Sequence, residues 1–307
     1  MSNESRAERE TWLSSPIEQY LPHLGDAIQR AVDKGIHFYI ASHETIRSSL
    51  NMRPYGHLLS WLDFTAVSKQ QWSTYEFLNM FNAMNGIAFN ARGIPMPHWV
   101  MIDLALMPSA AVIATVPQAL FLRMLESSID GEAQDHMLAV LDGARHNDYD
   151  GPIPIGGYCA APSAVSGRWV GWSLWSVIPS VGLGLAAKSL ALAAYRAQKL
   201  DGVTQYNNTA LRIHTQFGPL RVAAAVVPLH SSSGSFVYEN DFTRSSHGDN
   251  LQSTFFLDPS DLVRQYSMQM AIEKREADFF VIPPGLVGTS EDISVPILEV
   301  PIDPPSR

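Results

Sequence analysis

Gly182 and Gly184 stand between an apolar run at 170–178 and an Ala/Leu-rich run at 185–198. A short apolar run closed by a proline, here Pro179, suits a buried strand. Alanine and leucine are the strongest helix formers, and Lys188 and Arg196 are expected to snorkel from the polar side of that helix. A glycine turn that opens a helix can hold an anion. First-turn N–H groups lack intrahelical acceptors, the dipole is positive there, and glycine admits a ligand close to the backbone. Turns also use glycine for geometry alone. Downstream, a strand-like stretch at 202–206 leads to Asn207, Ala210, Ile213, His214 and Phe217. Ala210, Ile213 and Phe217 share one face of a short helix that Gly218 and Pro219 stop. A histidine there could give up a proton near neutral pH, or simply hydrogen-bond to backbone.

Other residue types offer fewer routes to chemistry. Asp103 lies among Met101, Ile102, Leu104 and Leu106 in a strand-like run. A carboxylate there must be paired, metal-bound or functional; as a general base it would deprotonate an incoming ammonium. His98 competes for that role. Cys159 is the single cysteine, which excludes an intramolecular disulfide framework and a multi-cysteine zinc site. Its setting, 156–160, reads as the interior of a strand and a buried structural thiol. Glu126, Asp130, Glu132 and Asp135 read as a solvated face, and 142–154 lacks the spacing of a calcium loop. No metal site is expected. The stretch 230–233 has His and Ser together but no nucleophile elbow.

Over 176–221 the chain resembles the GNAT superfamily of acyl-CoA-dependent N-acyltransferases. That family has Arg/Gln-x-x-Gly-x-Gly/Ala between its fourth strand and third helix, then Asn-x-x-Ala-x-x-Leu-Tyr-x-x-x-Gly-Phe. Here the counterparts are Pro179-x-x-Gly182-x-Gly184 and Asn207-x-x-Ala210-x-x-Ile213-His214-x-x-x-Gly218-Pro219. Pro179, His214 and Pro219 depart from the family's residues. The resemblance implies that backbone N–H groups of Val181, Gly182, Leu183, Gly184, Leu185, Ala186 and Ala187 bind the pyrophosphate of coenzyme A. It implies that a ledge at Val177 and Ile178 pairs with the pantetheine arm, with Asn207 also on the cofactor side. His214 would protonate the leaving thiolate in place of the family's tyrosine. The co-substrate would be acyl-CoA, most simply acetyl-CoA, and the acceptor an amine-bearing molecule of unstated class. Positioning of amine against thioester would supply much of the rate. Two alternatives stay open: a non-catalytic GNAT-like CoA-binding or assembly protein, and an unrelated nucleotide-binding enzyme. The second lacks a P-loop Lys-Ser/Thr pair and a three-glycine fingerprint.

The composition supports a folded protein. The chain has 307 residues, 46% hydrophobic and 17% charged, with a formal charge of −9. A sizeable core is expected and wholesale disorder is not. The negative balance disfavours direct tight nucleic-acid binding. Residues 1–10 are polar rather than signal-like, and the apolar region 169–195 is broken by proline, glycine and lysine, so a cytoplasmic protein without membrane contact is expected.

The elements follow in order. A leader at 1–35 carries a helix from 26 to 34, stopped by Gly35. Residues 36–41 begin a core that runs to 240. Residues 51–97 are rich in aromatics and methionine, and 74–84 look helical. Strands are expected at 99–106, 110–116, 153–160 and 168–178, the last two as an antiparallel pair. Two helices separated by Gly131 form an insertion at 118–150. Strands at 220–229 and 234–238 close the sheet. Beyond 241, a helix from about 258 to 277 presents Leu262, Tyr266, Met270 and Ile272 as its apolar face. A tail with six prolines at 283–307 is expected to be extended. Helix or tail could join two copies into a homodimer. The expected class is α/β (α+β), with a GNAT-like mixed, mostly antiparallel twisted sheet flanked by helices.

Overall fold

The computed structural model describes residues 21–42, 62–63, 110–128, 131–146, 150–178, 182–195, 197–227, 234–243, 251–289 and 292–302. The chain is a mixed α/β protein whose strands pair mostly antiparallel. It divides into two compact units. One comprises 19–167 and 171–196, the other 1–18, 168–170 and 197–307. They are called here the N-terminal and C-terminal units.

The N-terminal unit begins with helix α1 (Leu21–Asp33) and strand β1 (His37–Ser42). Gly35, at φ +78°, makes the turn between them, a backbone conformation that suits glycine. β1 pairs in parallel with β2 (Leu62–Asp63) and antiparallel with β3 (Ala110–Val116), Phe38 facing Ala114. β3 pairs antiparallel with β4 (Ile153–Pro162), Val112 facing Tyr158. Residues 112–116 and 153–160 are buried on both faces, so these strands read as continuous apolar runs rather than alternating ones. Helices α2 (Gln118–Glu126) and α3 (Gly131–His146) fill the connection, with Gly131 opening the second as the sequence suggests.

Strand β5 (Arg168–Ser176) leads to helix α4 (Leu183–Tyr195). α4 packs against α1, β3 and β4, and 186–192 are all buried. Its alanines let the helix sit close to the sheet. Lys188 therefore does not snorkel: it is 0% exposed, because α4 has no solvated side there. Gly157 makes room for Trp175; a β-carbon on it would stand 3.1 Å from the indole ring and 2.8 Å from the Val112 carbonyl.

In the C-terminal unit the strand order is β6 (Lys199–Gln205), β8 (Ser235–Asp241), β7 (Leu220–Ala224), β10 (Ala277–Val281), β11 (Val295–Pro301) and β9 (Phe255–Leu257). Each neighbouring pair is antiparallel. Alternation sorts the two faces. Leu220, Val222, Phe236, Tyr238, Phe279, Val281 and Ile297 point to one core, joined by Tyr206, Leu211 and Met268. Met268 comes from helix α6 (Leu262–Glu273), whose first turn is capped by Asp261 Oδ1 accepting from the Arg264 N–H at 2.9 Å.

Two expectations change here. On α6, Leu262, Tyr266 and Met270 are 55%, 58% and 49% exposed, while Gln265 and Met268 are buried. The helix turns a different face inward because Gln265 Nε2 donates to the Pro259 carbonyl at 2.8 Å and Met268 joins the core. The proline-rich end is not simply an extended tail: 295–301 form β11 within the unit's own sheet, between β10 and β9. Pro296 faces Ile282 just past the end of β10: the Ile282 N–H donates to the Pro296 carbonyl at 3.1 Å, and the Ile282 carbonyl accepts from the Gly285 N–H at 2.9 Å instead of from a residue at 296. Pro301 lies beyond residues 295–297, the stretch that β9 pairs. Among the described residues no helix is long and apolar enough to cross a membrane.

Candidate functional site

The glycine turn belongs to the N-terminal unit. Gly182 adopts φ +74°, with open space where a β-carbon would stand. Its carbonyl accepts from the Ala186 N–H at 3.0 Å, so it is the residue from which α4 starts. The first-turn N–H groups of such a helix, here those of Leu183, Gly184 and Leu185, have no acceptor within the helix itself, and a helix start of this kind suits an anion. Gly182 is exposed, Leu185 half-buried, and Leu183, Gly184, Ala186 and Ala187 are buried. Val181 lies outside the described residues.

The ledge is partly engaged. The Val177 N–H donates to the Ile155 carbonyl at 2.9 Å, and the Ile178 carbonyl accepts from Ser176 Oγ at 2.6 Å. Both side chains are buried. Lys188, one turn beyond Gly184, has its Nζ 6.0 Å from the centroid of the Tyr158 ring. Burial lowers its pKa to about 7, so a fraction of the amine is neutral at physiological pH. Cys159 is 1% exposed, and burial, against a hydrogen bond with Ser173, pushes its thiol up to about 12. That is an inert structural cysteine, as its sequence setting suggests.

Asn207 and His214 belong to the C-terminal unit. Asn207 is exposed in a turn. The neighbouring Asn208 shapes that turn instead, its Oδ1 accepting from the Ala210 N–H at 2.9 Å. The expected helix is a single turn, α5 (Leu211–His214), continued by a 3-10 turn at Thr215–Phe217. His214 is 6% exposed, and its ring centroid lies 5.2 Å from that of Tyr238, tilted by 35°. Burial first, and then the Asp201 charge, push the Tyr238 phenol well above its ordinary pKa, so it stays protonated. Asp103 and His98 lie outside the described residues, as do the expected strand at 99–106 and helix at 74–84.

The sequence reading missed a ladder of charges on the other face of the C-terminal sheet. Arg168 grips Asp201 with two donors, at 2.5 and 2.8 Å, and reaches Glu239 Oε2 at 3.0 Å. Lys199 Nζ lies 3.0 Å from Asp241 Oδ2 and 3.9 Å from Glu239 Oε1. Arg221 lies 3.8 Å from Glu239 and 3.3 Å from Asp278. Glu239, 13% exposed at its side chain, thus meets three cations. The signal was the period-two spacing of Lys199 with Asp201 and Glu239 with Asp241, which marks one strand face.

Among the described residues no group of three or more His, Cys, Asp or Glu side chains could hold a metal ion. No family model matches the sequence, and no curated protein matches it.

Proposed function

We propose that the chain is an acyl-CoA-dependent N-acyltransferase that moves an acyl group, most simply acetyl, to an amine. The observation that carries this reading is the helix start at Gly182. A left-handed glycine opens an Ala/Leu helix a short connection after strand β5, and the first-turn N–H groups of a helix have no acceptor within it. The order of elements after it also agrees with the resemblance: helix α4, strand β6, the short helix with Ala210 and Ile213, then β7.

In this reading the amine nitrogen attacks the thioester carbonyl, the C–S bond breaks, and the proton lost by the amine is balanced by one delivered to the thiolate. His214 occupies the position of the family's proton donor, and Asp103 is the candidate for accepting the ammonium proton. Incubation with acetyl-CoA and a panel of small amines and peptides, read as release of free CoA thiol, tests the activity. Thiol release that depends on the amine and falls in His214→Phe supports it; no amine-dependent release by the folded protein counts against catalysis.

One observation favours a second reading, a CoA-binding module without catalysis. His214 is 6% exposed and packed on Tyr238, a setting that suits a structural histidine as well as an acid. Acetyl-CoA binding without thiol release from any acceptor would select that reading.

A further inference from the structure

The charged face of the C-terminal sheet contains a cavity of about 260 Å³. Its floor is apolar, with Phe280, Leu298 and Val300 among the lining residues, and its wall carries Arg221, Glu239 and Asp241. Registry explains the combination. Arg221 pairs with Glu239 across β7 and β8 and with Phe280 across β7 and β10, and Phe280 pairs with Leu298 across β10 and β11. Strands that carry the ladder at one end of the face therefore hand over to apolar side chains at the other.

Charge decides which ligand fits. Among the described residues the ladder sets three cations, Arg168, Lys199 and Arg221, against four carboxylates, Asp201, Glu239, Asp241 and Asp278. Lys199 pairs with Asp241, Arg168 with Asp201 and Arg221 with Asp278, so the surplus carboxylate is Glu239, shared by all three cations at the cavity wall. The ladder as a whole thus keeps one negative charge, held where solvent is partly excluded and a charge interacts more strongly than in water. A neutral guest would leave that surplus unmet, and an anion would add to it.

We propose that this cavity binds a small monocationic amine with a compact apolar body. The ammonium sits against Glu239 and Asp241, and the body lies on Phe280, Leu298 and Val300. The volume matches a ligand smaller than a typical drug. The inference requires no acyl transfer and names no acceptor, so it stands or falls separately from the catalytic reading.

Calorimetric titration of the full chain with phenethylamine, phenethyl alcohol and phenylacetate tests it, without acyl-CoA present. The three share an aromatic body and differ in charge. Saturable binding of the amine is expected, about tenfold tighter than the alcohol, with phenylacetate weakest. Glu239→Gln should weaken amine binding several-fold. Val300→Arg, at a position 41% exposed, should block it without disturbing the core; it carries the test if Glu239→Gln does not fold. Alcohol or phenylacetate binding as tightly as the amine would overturn the proposal. So would the absence of amine binding at millimolar concentration, or amine binding unchanged in Val300→Arg.

Discussion

Tyr238 fills the space above Gly202, its cross-strand partner: a β-carbon on Gly202 would stand 2.5 Å from the phenol oxygen. The same tyrosine carries the ring of His214. Gly202 is thus a spacer that lets the tyrosine, and through it the histidine, settle into the core. Gly202→Ala is expected to destabilise the protein by about 1–3 kcal/mol through overpacking. Urea unfolding measures the loss, and the His214 ring resonances should shift with it. An unchanged midpoint would mean that Tyr238 can move aside freely.

Lys188 gives a pH signature of unusual sign. Its folded pKa is lowered to about 7, whereas in the unfolded chain it is near the ordinary lysine value of about 10.4. The unfolded state therefore binds more protons between these values, and stability rises with pH across that window. Below the folded pKa the cost of burying the charge is fully present; above the unfolded pKa it has gone. Lys188→Met, close in volume, should flatten this rise and stabilise the protein by roughly a few kcal/mol at neutral or lower pH. Thermal melts from neutral to alkaline pH read both effects.

The ladder predicts a slope of the same sign in acid, from the opposite kind of group. Burial tends to raise the pKa of Asp241, but hydrogen bonds from Thr243 and Lys199 outweigh it and hold the carboxyl below its ordinary value. Its contribution is present above the unfolded carboxylate value and lost as pH falls through the folded one. Asp241→Asn should cost roughly 1 kcal/mol or less at neutral pH, after allowance for solvent screening. The difference from wild type should close in acid and shrink in high salt. A difference that persists in strong acid would assign the effect to packing.

The cap of α6 is local and separable. Asp261→Ala removes the acceptor for the Arg264 N–H and is expected to cost about 1 kcal/mol. Hydrogen exchange should speed up at the first turn of the helix, leaving β10 and β11 protected.

Much of the local structure was legible. The run 110–116 gives β3, Gly35 stops α1, and Gly131 opens α3. Each depends on residues close in sequence. What escaped depends on tertiary partners. Periodicity finds an apolar stripe of Leu262, Tyr266, Met270 and Ile272; Ile272 does pack against the core, but the other three are exposed and Gln265 and Met268 are buried instead. Prolines at 296 and 301 argue against a strand until the ends of its neighbours are seen: Pro296 lies past the end of β10, and Pro301 past the stretch that β9 pairs. Lys188 looks solvated until α4 is covered by α1, β3 and β4. The charge ladder joins residues from 168 to 278, and no short window contains it. Of the candidate site, the helix start at Gly182 was legible because glycine and helix formers act locally. The burial of His214 depends on Tyr238, which lies on a later strand.

Calorimetric titration with acetyl-CoA is the most direct test of the acyl-CoA reading, using wild type beside Gly184→Glu and Leu185→Glu. A glutamate at 185 suits the positive end of the helix, so it keeps the fold while placing negative charge where the pyrophosphate would lie. The account predicts saturable binding by wild type that both variants lose while retaining the wild-type circular dichroism. No binding by the folded wild type, or binding that survives Leu185→Glu unchanged, would contradict it.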